Sequence, residues 1–134
     1  RFHPGGSLGK RLVQNVSQVM KKDNLPIIKS NENIKKVINT ISAGKCGIVV
    51  IIINEIICGV ISDGDIRRAM EFKENNFFKL KAFDIMTKNP QSVYENTKLK
   101  TAGDLMFLKK INSLLVKDQQ ELLVGIVQSY DLGI

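Results

Sequence analysis

At 134 residues the chain can build one compact core or two small, mutually dependent ones, but not two independent domains of ordinary size. An apolar fraction of 43% with no Trp describes an aliphatic core, and its Ile and Val richness favours strands over a purely helical bundle. Twenty Lys and Arg against 13 Asp and Glu give a formal charge of +7, yet the basic residues lie in scattered pairs without interleaved aromatics, which argues against a nucleic-acid stacking surface. No run of about 18 apolar residues and no signal peptide is apparent, so a soluble, cytoplasmic chain with no membrane partner is expected.

Residues 1–15 are rich in turn formers: Pro4 holds His3 extended, and Gly5-Gly6 permit positive φ. They read as a linker from a preceding domain, and an opening at Arg1 without an initiator Met is expected of a fragment. His3, with no Cys or His nearby, is no metal site, and no metal or cofactor is expected elsewhere.

From Val16 the chain repeats itself. Ser17-Gln18-Val19-Met20-Lys21-Lys22 aligns with Phe83-Asp84-Ile85-Met86-Thr87-Lys88, a shift of 66. Each copy then turns helical, with Ile34, Val37, Ile38, Ile41 and Leu99, Ala102, Gly103, Met106 at i, i+3, i+4, i+7. Ser30 or Asn31 and Thr97 are the expected caps. An apolar strand pair follows in each copy: residues 47–53 and 56–61 around a turn at Asn54-Glu55, then 114–116 and 122–127 around a turn at residues 118–120. Each copy therefore reads as extended segment, helix, strand, strand, helix. The division expected is 1–15 linker, 16–81 first repeat with its connector, and 82–134 second repeat. The fold class expected is α/β, two small sheets with two helices each, packed as a pseudo-twofold pair. The unbroken apolar runs of the first strand pair should be covered on both faces.

Cys46 and Cys58 have no metal spacing and sit in apolar, strand-like surroundings, so both read as buried thiols, with Cys58 placed opposite about Ile51 by the hairpin register. No Ser/His/Asp order, phosphate-binding Gly loop or metalloprotease motif is present, and catalysis within these residues is not expected.

The chemistry concentrates where each strand pair ends, at Gly59-Val60-Ile61-Ser62-Asp63-Gly64-Asp65 and Gly125-Ile126-Val127-Gln128-Ser129-Tyr130-Asp131. Ser62 and Asp65 have the spacing of a capping box, which accounts for one copy by itself. Repetition adds a second use, since a carboxylate beside free backbone N–H groups can grip a ribose diol while those N–H groups face phosphate. Arg67 could neutralise that phosphate or be a solvated helix face, and Arg68 reads as solvated.

These duplicated motifs resemble a tandem cystathionine-β-synthase-type (CBS) pair, a regulatory module that commonly binds adenosine or other nucleotides. The resemblance implies that Asp65 and Asp131 hold ribose hydroxyls and that Ser62 assists at phosphate, while Gln128 replaces that hydroxyl in the second copy. The run from His3 to Leu12, with Gly64-Asp65-Ile66-Arg67-Arg68 and Asp84-Ile85-Met86-Thr87, is similar to the D-arabinose-5-phosphate isomerase family, where such a run joins the sugar isomerase domain to the CBS pair. This narrower resemblance implies that His3 is catalytic only together with an isomerase domain outside these residues. It also implies a role in making the lipopolysaccharide sugar Kdo, with CMP-Kdo or an adenine nucleotide as ligand and a homodimer, tetrameric in the full-length enzyme, as assembly. Rival readings are an empty structural dimerisation module and the CBS pair of another enzyme or a transporter.

Overall fold

The computed structural model of the protein describes Gly9 and residues 12–133. The chain divides into two compact α/β units, one spanning Asn24–Pro90 and the other joining the residues up to Asp23 with those from Gln91 onward.

The first unit contains β1 (Ile27–Ile28), α1 (Ile34–Gly44), β2 (Ile48–Ile53), β3 (Ile56–Ser62), α2 (Asp63–Lys73), a 3-10 stretch at Glu74–Lys79, α3 (Ala82–Ile85) and β4 (Thr87–Lys88). Its sheet has the order β1-β2-β3-β4, with β1 parallel to β2 and the other pairs antiparallel. Ile34, Val37 and Ile41 bury one stripe of α1, as the helical period requires. The cap is Asn33, whose side chain accepts from the Lys36 amide at 2.8 Å, rather than Ser30 or Asn31. Ser30 and Glu32 instead give their carbonyls to the amides of Phe83 and Ala82, which ties α3 to the approach of α1.

Asn54 and Glu55 form the two-residue turn between β2 and β3, both at positive φ, the geometry whose twist matches a hairpin. The register shifts after Ile51, which faces Gly59 while Ile52 faces Ile57, so Cys58 is an unopposed bulge residue rather than the partner of Ile51. That position leaves Cys58 half-buried, whereas Cys46 is buried, and neither is in a disulfide. Coverage of both faces is confined to Val49, Val50 and Ile51 in the middle of β2; the hairpin tip at Ile53 and Ile56 runs past the neighbouring strands and is exposed.

The second unit contains a 3-10 turn at Val16–Gln18, β5 (Ser92–Tyr94), α4 (Leu99–Lys109), β6 (Ser113–Lys117), β7 (Leu123–Gln128) and a 3-10 turn at Ser129–Leu132. β5 runs parallel to β6, and β6 antiparallel to β7. Leu99, Ala102, Gly103 and Met106 are the buried stripe of α4. Its N-cap is Lys98, without a side-chain cap, in place of Thr97. The bulge recurs: Val116 faces Gly125 and Lys117 faces Leu123, leaving Val124 unopposed. The helix expected after β7 is a single 3-10 turn, stopped at Gly133, which takes the left-handed conformation.

The segments carrying Met20 and Met86 exchange places relative to the repeats. Lys21 bridges to Ile126 beside β7, just as Thr87 of β4 pairs with Val60 of β3. Val16 and Met20 thus belong to the core that holds Leu99, Met106 and Val127, while Ala82 and Met86 join Val37, Val49 and Ile61. Space for each Met comes from a strand glycine: a Cβ on Gly59 would lie 2.9 Å from Met86 Sδ, and one on Gly125 would collide with Met20 Sδ.

Candidate functional site

In the first unit β3 hands over to α2 at Ser62, which ends the strand and caps the helix. Ser62 Oγ accepts from the Asp65 amide at 3.1 Å, and Asp65 Oδ2 accepts in return from the Ser62 amide at 2.9 Å. Both members of the expected pair therefore form a capping box, with Asp63 and Asp65 at the positive end of the helix dipole.

Two further residues converge on the same carboxylate. Arg68 Nη2 donates to Asp65 Oδ1 at 2.6 Å, and the Thr87 hydroxyl of β4 stands 3.3 Å from both Asp65 oxygens. The Asp65 side chain keeps only 11% of its exposure, whereas that of Arg68 keeps 64%. Arg67 is exposed and makes no ion pair among the described residues. The helix brings Arg68 rather than Arg67 back to Asp65 because residues three apart share a face, a signal present in the sequence. Thr87 lies 22 positions further on and reaches the site only through the β3–β4 pairing.

The second unit repeats this turn with different parts. Asp131 Oδ2 accepts from the Gln128 amide at 2.8 Å, as Asp65 accepts from the Ser62 amide in the first copy. Gln128 also donates to Ser113 Oγ at 3.4 Å and accepts from the Tyr130 hydroxyl at 2.7 Å. No cation pairs with Asp131 among the described residues. Beside this turn lies an open groove of about 650 Å³ lined by Met106, Phe107, Leu108, Lys110, Ile111, Asn112 and Ser129. His3 lies outside the described residues.

Each unit thus presents a strand-to-helix or strand-to-turn corner with a carboxylate anchored by its own backbone, and the CBS domain profile matches residues 16–71 and 82–132, the two copies that contain those corners. The chain belongs to the CBS domain family. This CBS pair is 37% identical over 131 residues to an arabinose 5-phosphate isomerase of Francisella tularensis, an alignment covering 97% of the chain and 40% of the relative. It spans only 38% to 40% of the length of the first curated relatives it matches. Among solved structures, CBSX2 in complex with AMP superposes with a TM-score of 0.75 at 23% identity, covering 89% of this chain and 92% of that one. A CBS domain pair in complex with 5′-methylthioadenosine and S-adenosyl-L-methionine superposes with a TM-score of 0.79 at 22% identity, covering 90% of this chain and 93% of that one. At these identities the superpositions establish the fold of the pair. Among the described residues no helix is long and apolar enough to cross a membrane.

Proposed function

We propose that this CBS pair is the regulatory, nucleotide-sensing part of an arabinose-5-phosphate isomerase, with Ser62, Asp65 and Arg67 forming one nucleotide site and Asp131 anchoring a second. The observation that carries the reading is the backbone-anchored carboxylate repeated at the end of β3 and β7. In each copy the capping amide fixes one carboxylate oxygen, so the carboxylate is already ordered before a polyhydroxyl ligand arrives. Structural neighbours in complex with AMP, 5′-methylthioadenosine and S-adenosyl-L-methionine support adenosine compounds as the ligand class. Similarity to arabinose 5-phosphate isomerases supports the attachment to an enzyme that interconverts ribulose 5-phosphate and arabinose 5-phosphate in the cytoplasm, with CMP-Kdo as the alternative ligand that would close a feedback loop. His3 would serve catalysis only within that full-length enzyme.

A second reading, a self-associating module with empty sites, draws on exposed aromatic side chains in each unit. Phe72, Phe78 and Phe107 are 81%, 72% and 86% exposed, which suits burial against a second copy in a homodimer, or a tetramer at full length. Thermal melting with CMP, CMP-Kdo, AMP, ADP and ATP separates the readings. A ligand held at about one hundred times its dissociation constant adds roughly 2.7 kcal/mol and raises the midpoint by several degrees for a domain of this size. No shift with any of the five supports the empty module.

A further inference from the structure

We infer that Arg68 is a latch on Asp65 that makes this site select nucleoside phosphates over the corresponding bare nucleosides. The inference rests on the reading of Asp65 as a ribose ligand.

A carboxylate offers about four acceptor positions. On Asp65 the Ser62 amide takes one at 2.9 Å, Arg68 Nη2 takes another at 2.6 Å, and the Thr87 hydroxyl lies 3.3 Å from both oxygens. A ribose diol brings two hydroxyl donors and needs room for both. The Ser62 bond is part of the first turn of α2 and can leave only if that turn unwinds. Arg68 is the group that can yield: its side chain is 64% exposed and, among the described residues, held by this one side-chain contact. Its guanidinium lies over Gly64, where a Cβ would stand 3.4 Å from Nη1 and 3.5 Å from Nη2.

What the ligand carries decides the exchange. A bare nucleoside replaces a short ion pair with hydrogen bonds from uncharged hydroxyls and leaves the guanidinium with water alone. A nucleoside phosphate brings its own anion a few bonds from the diol, so the guanidinium trades a carboxylate for a phosphate, both of which suit its planar fork. Asp131 lacks such a partner among the described residues, and the residue three beyond it is the uncharged Ile134. The second site should therefore tolerate nucleosides better than the first.

Calorimetric titration tests this on an Asp131→Asn background, which keeps an oxygen for the Gln128 amide and leaves the Asp65 site to report. The probes are AMP against adenosine and CMP against cytidine. With Arg68 present, the preferred monophosphate should bind at least about tenfold more tightly than its nucleoside, a difference of roughly 1.4 kcal/mol. Arg68→Ala should tighten the nucleoside and weaken the monophosphate, so that the ratio collapses, whereas Lys73→Ala removes the same charge at the far end of α2 and should preserve it. If Asp131→Asn melts early, the same series on the wild-type background, fitted as two sites, gives the comparison. A ratio that survives Arg68→Ala, or a nucleoside that matches its monophosphate while Arg68 is present, overturns the latch and leaves the nucleotide reading intact. No saturable binding of any of the four probes to the folded wild-type chain defeats the latch, and the same result with ADP, ATP and CMP-Kdo defeats the nucleotide reading as well.

Discussion

Glu121 accepts from two donors at once, the Tyr94 hydroxyl at 2.6 Å and Lys117 Nζ at 2.8 Å, while Nζ also sits 4.9 Å from the centre of the Tyr94 ring. These bonds, that from Lys117 first, hold the Glu121 carboxyl below its ordinary value of 4.5. The phenol of Tyr94 is held above its own ordinary value, chiefly by its bond to Glu121. A lowered carboxyl stabilises the fold above its unfolded value, and that contribution is lost as pH falls through the folded one. The cluster tying β5 to the β6–β7 loop should accordingly loosen on acidification below about pH 4.5. Carbon-detected NMR titration should place the Glu121 midpoint below that of a free Glu, with Lys117→Met moving it up; an ordinary midpoint in the wild-type chain contradicts the cluster. At the candidate site the carboxylates and Ser62 are legible from duplication and spacing alone. Arg68 was readable in principle from its i+3 spacing to Asp65, but an exposed Arg on a helix carries no mark of its partner. Thr87 was not readable, because its approach depends on a strand pairing between distant residues.

Among the elements, the two helical stripes and the Asn54-Glu55 turn follow from periodicity and turn chemistry. The cap of α1 does not, since Ser30, Asn31 and Asn33 all carry a suitable side chain; the pairing of Ser30 and Glu32 with α3 settles it. Gly59 and Gly125 are legible as repeat markers, while their physical cause appears only when a Met lies across each. In Gly59→Ala the new methyl would meet the Thr87 carbonyl oxygen at 2.8 Å and Met86 Sδ at 2.9 Å, so strand or side chain must shift. The expected loss is about 1–3 kcal/mol. Gly125→Ala, against Met20 Sδ and the Lys21 carbonyl oxygen at 2.9 Å, should lose at least as much. Urea denaturation measures both, and an unchanged midpoint in either would mean that the Met does not occupy that position.

At the scale of the whole chain, sequence repeats and compact units have different boundaries. The alignment of copies follows the order of residues, whereas burial follows the exchange that sends Val16 and Met20 to the core of the later strands and Ala82 and Met86 to that of the earlier ones. Residues 24–90 hold a continuous sheet with its own core, so that fragment should fold alone, while residues 91–134 lack the fully buried Val16 and should not. Circular dichroism and amide NMR spectra of the two fragments decide it, and a folded 91–134 beside an unfolded 24–90 would contradict the unit boundaries. Nucleotide sensing through the two anchored carboxylates is the larger claim. Removing a carboxylate that accepts ribose hydroxyls costs about 1.5–3 kcal/mol per charged hydrogen bond, or at least roughly tenfold in affinity. The most direct measurement is calorimetric titration of the best-stabilising nucleotide into the wild-type chain and into the doubly substituted Asp65→Asn, Asp131→Asn chain, once both are shown to be folded. Saturable binding to the first that falls by more than about tenfold in the second is the result expected, and undiminished affinity in the folded double variant would contradict it.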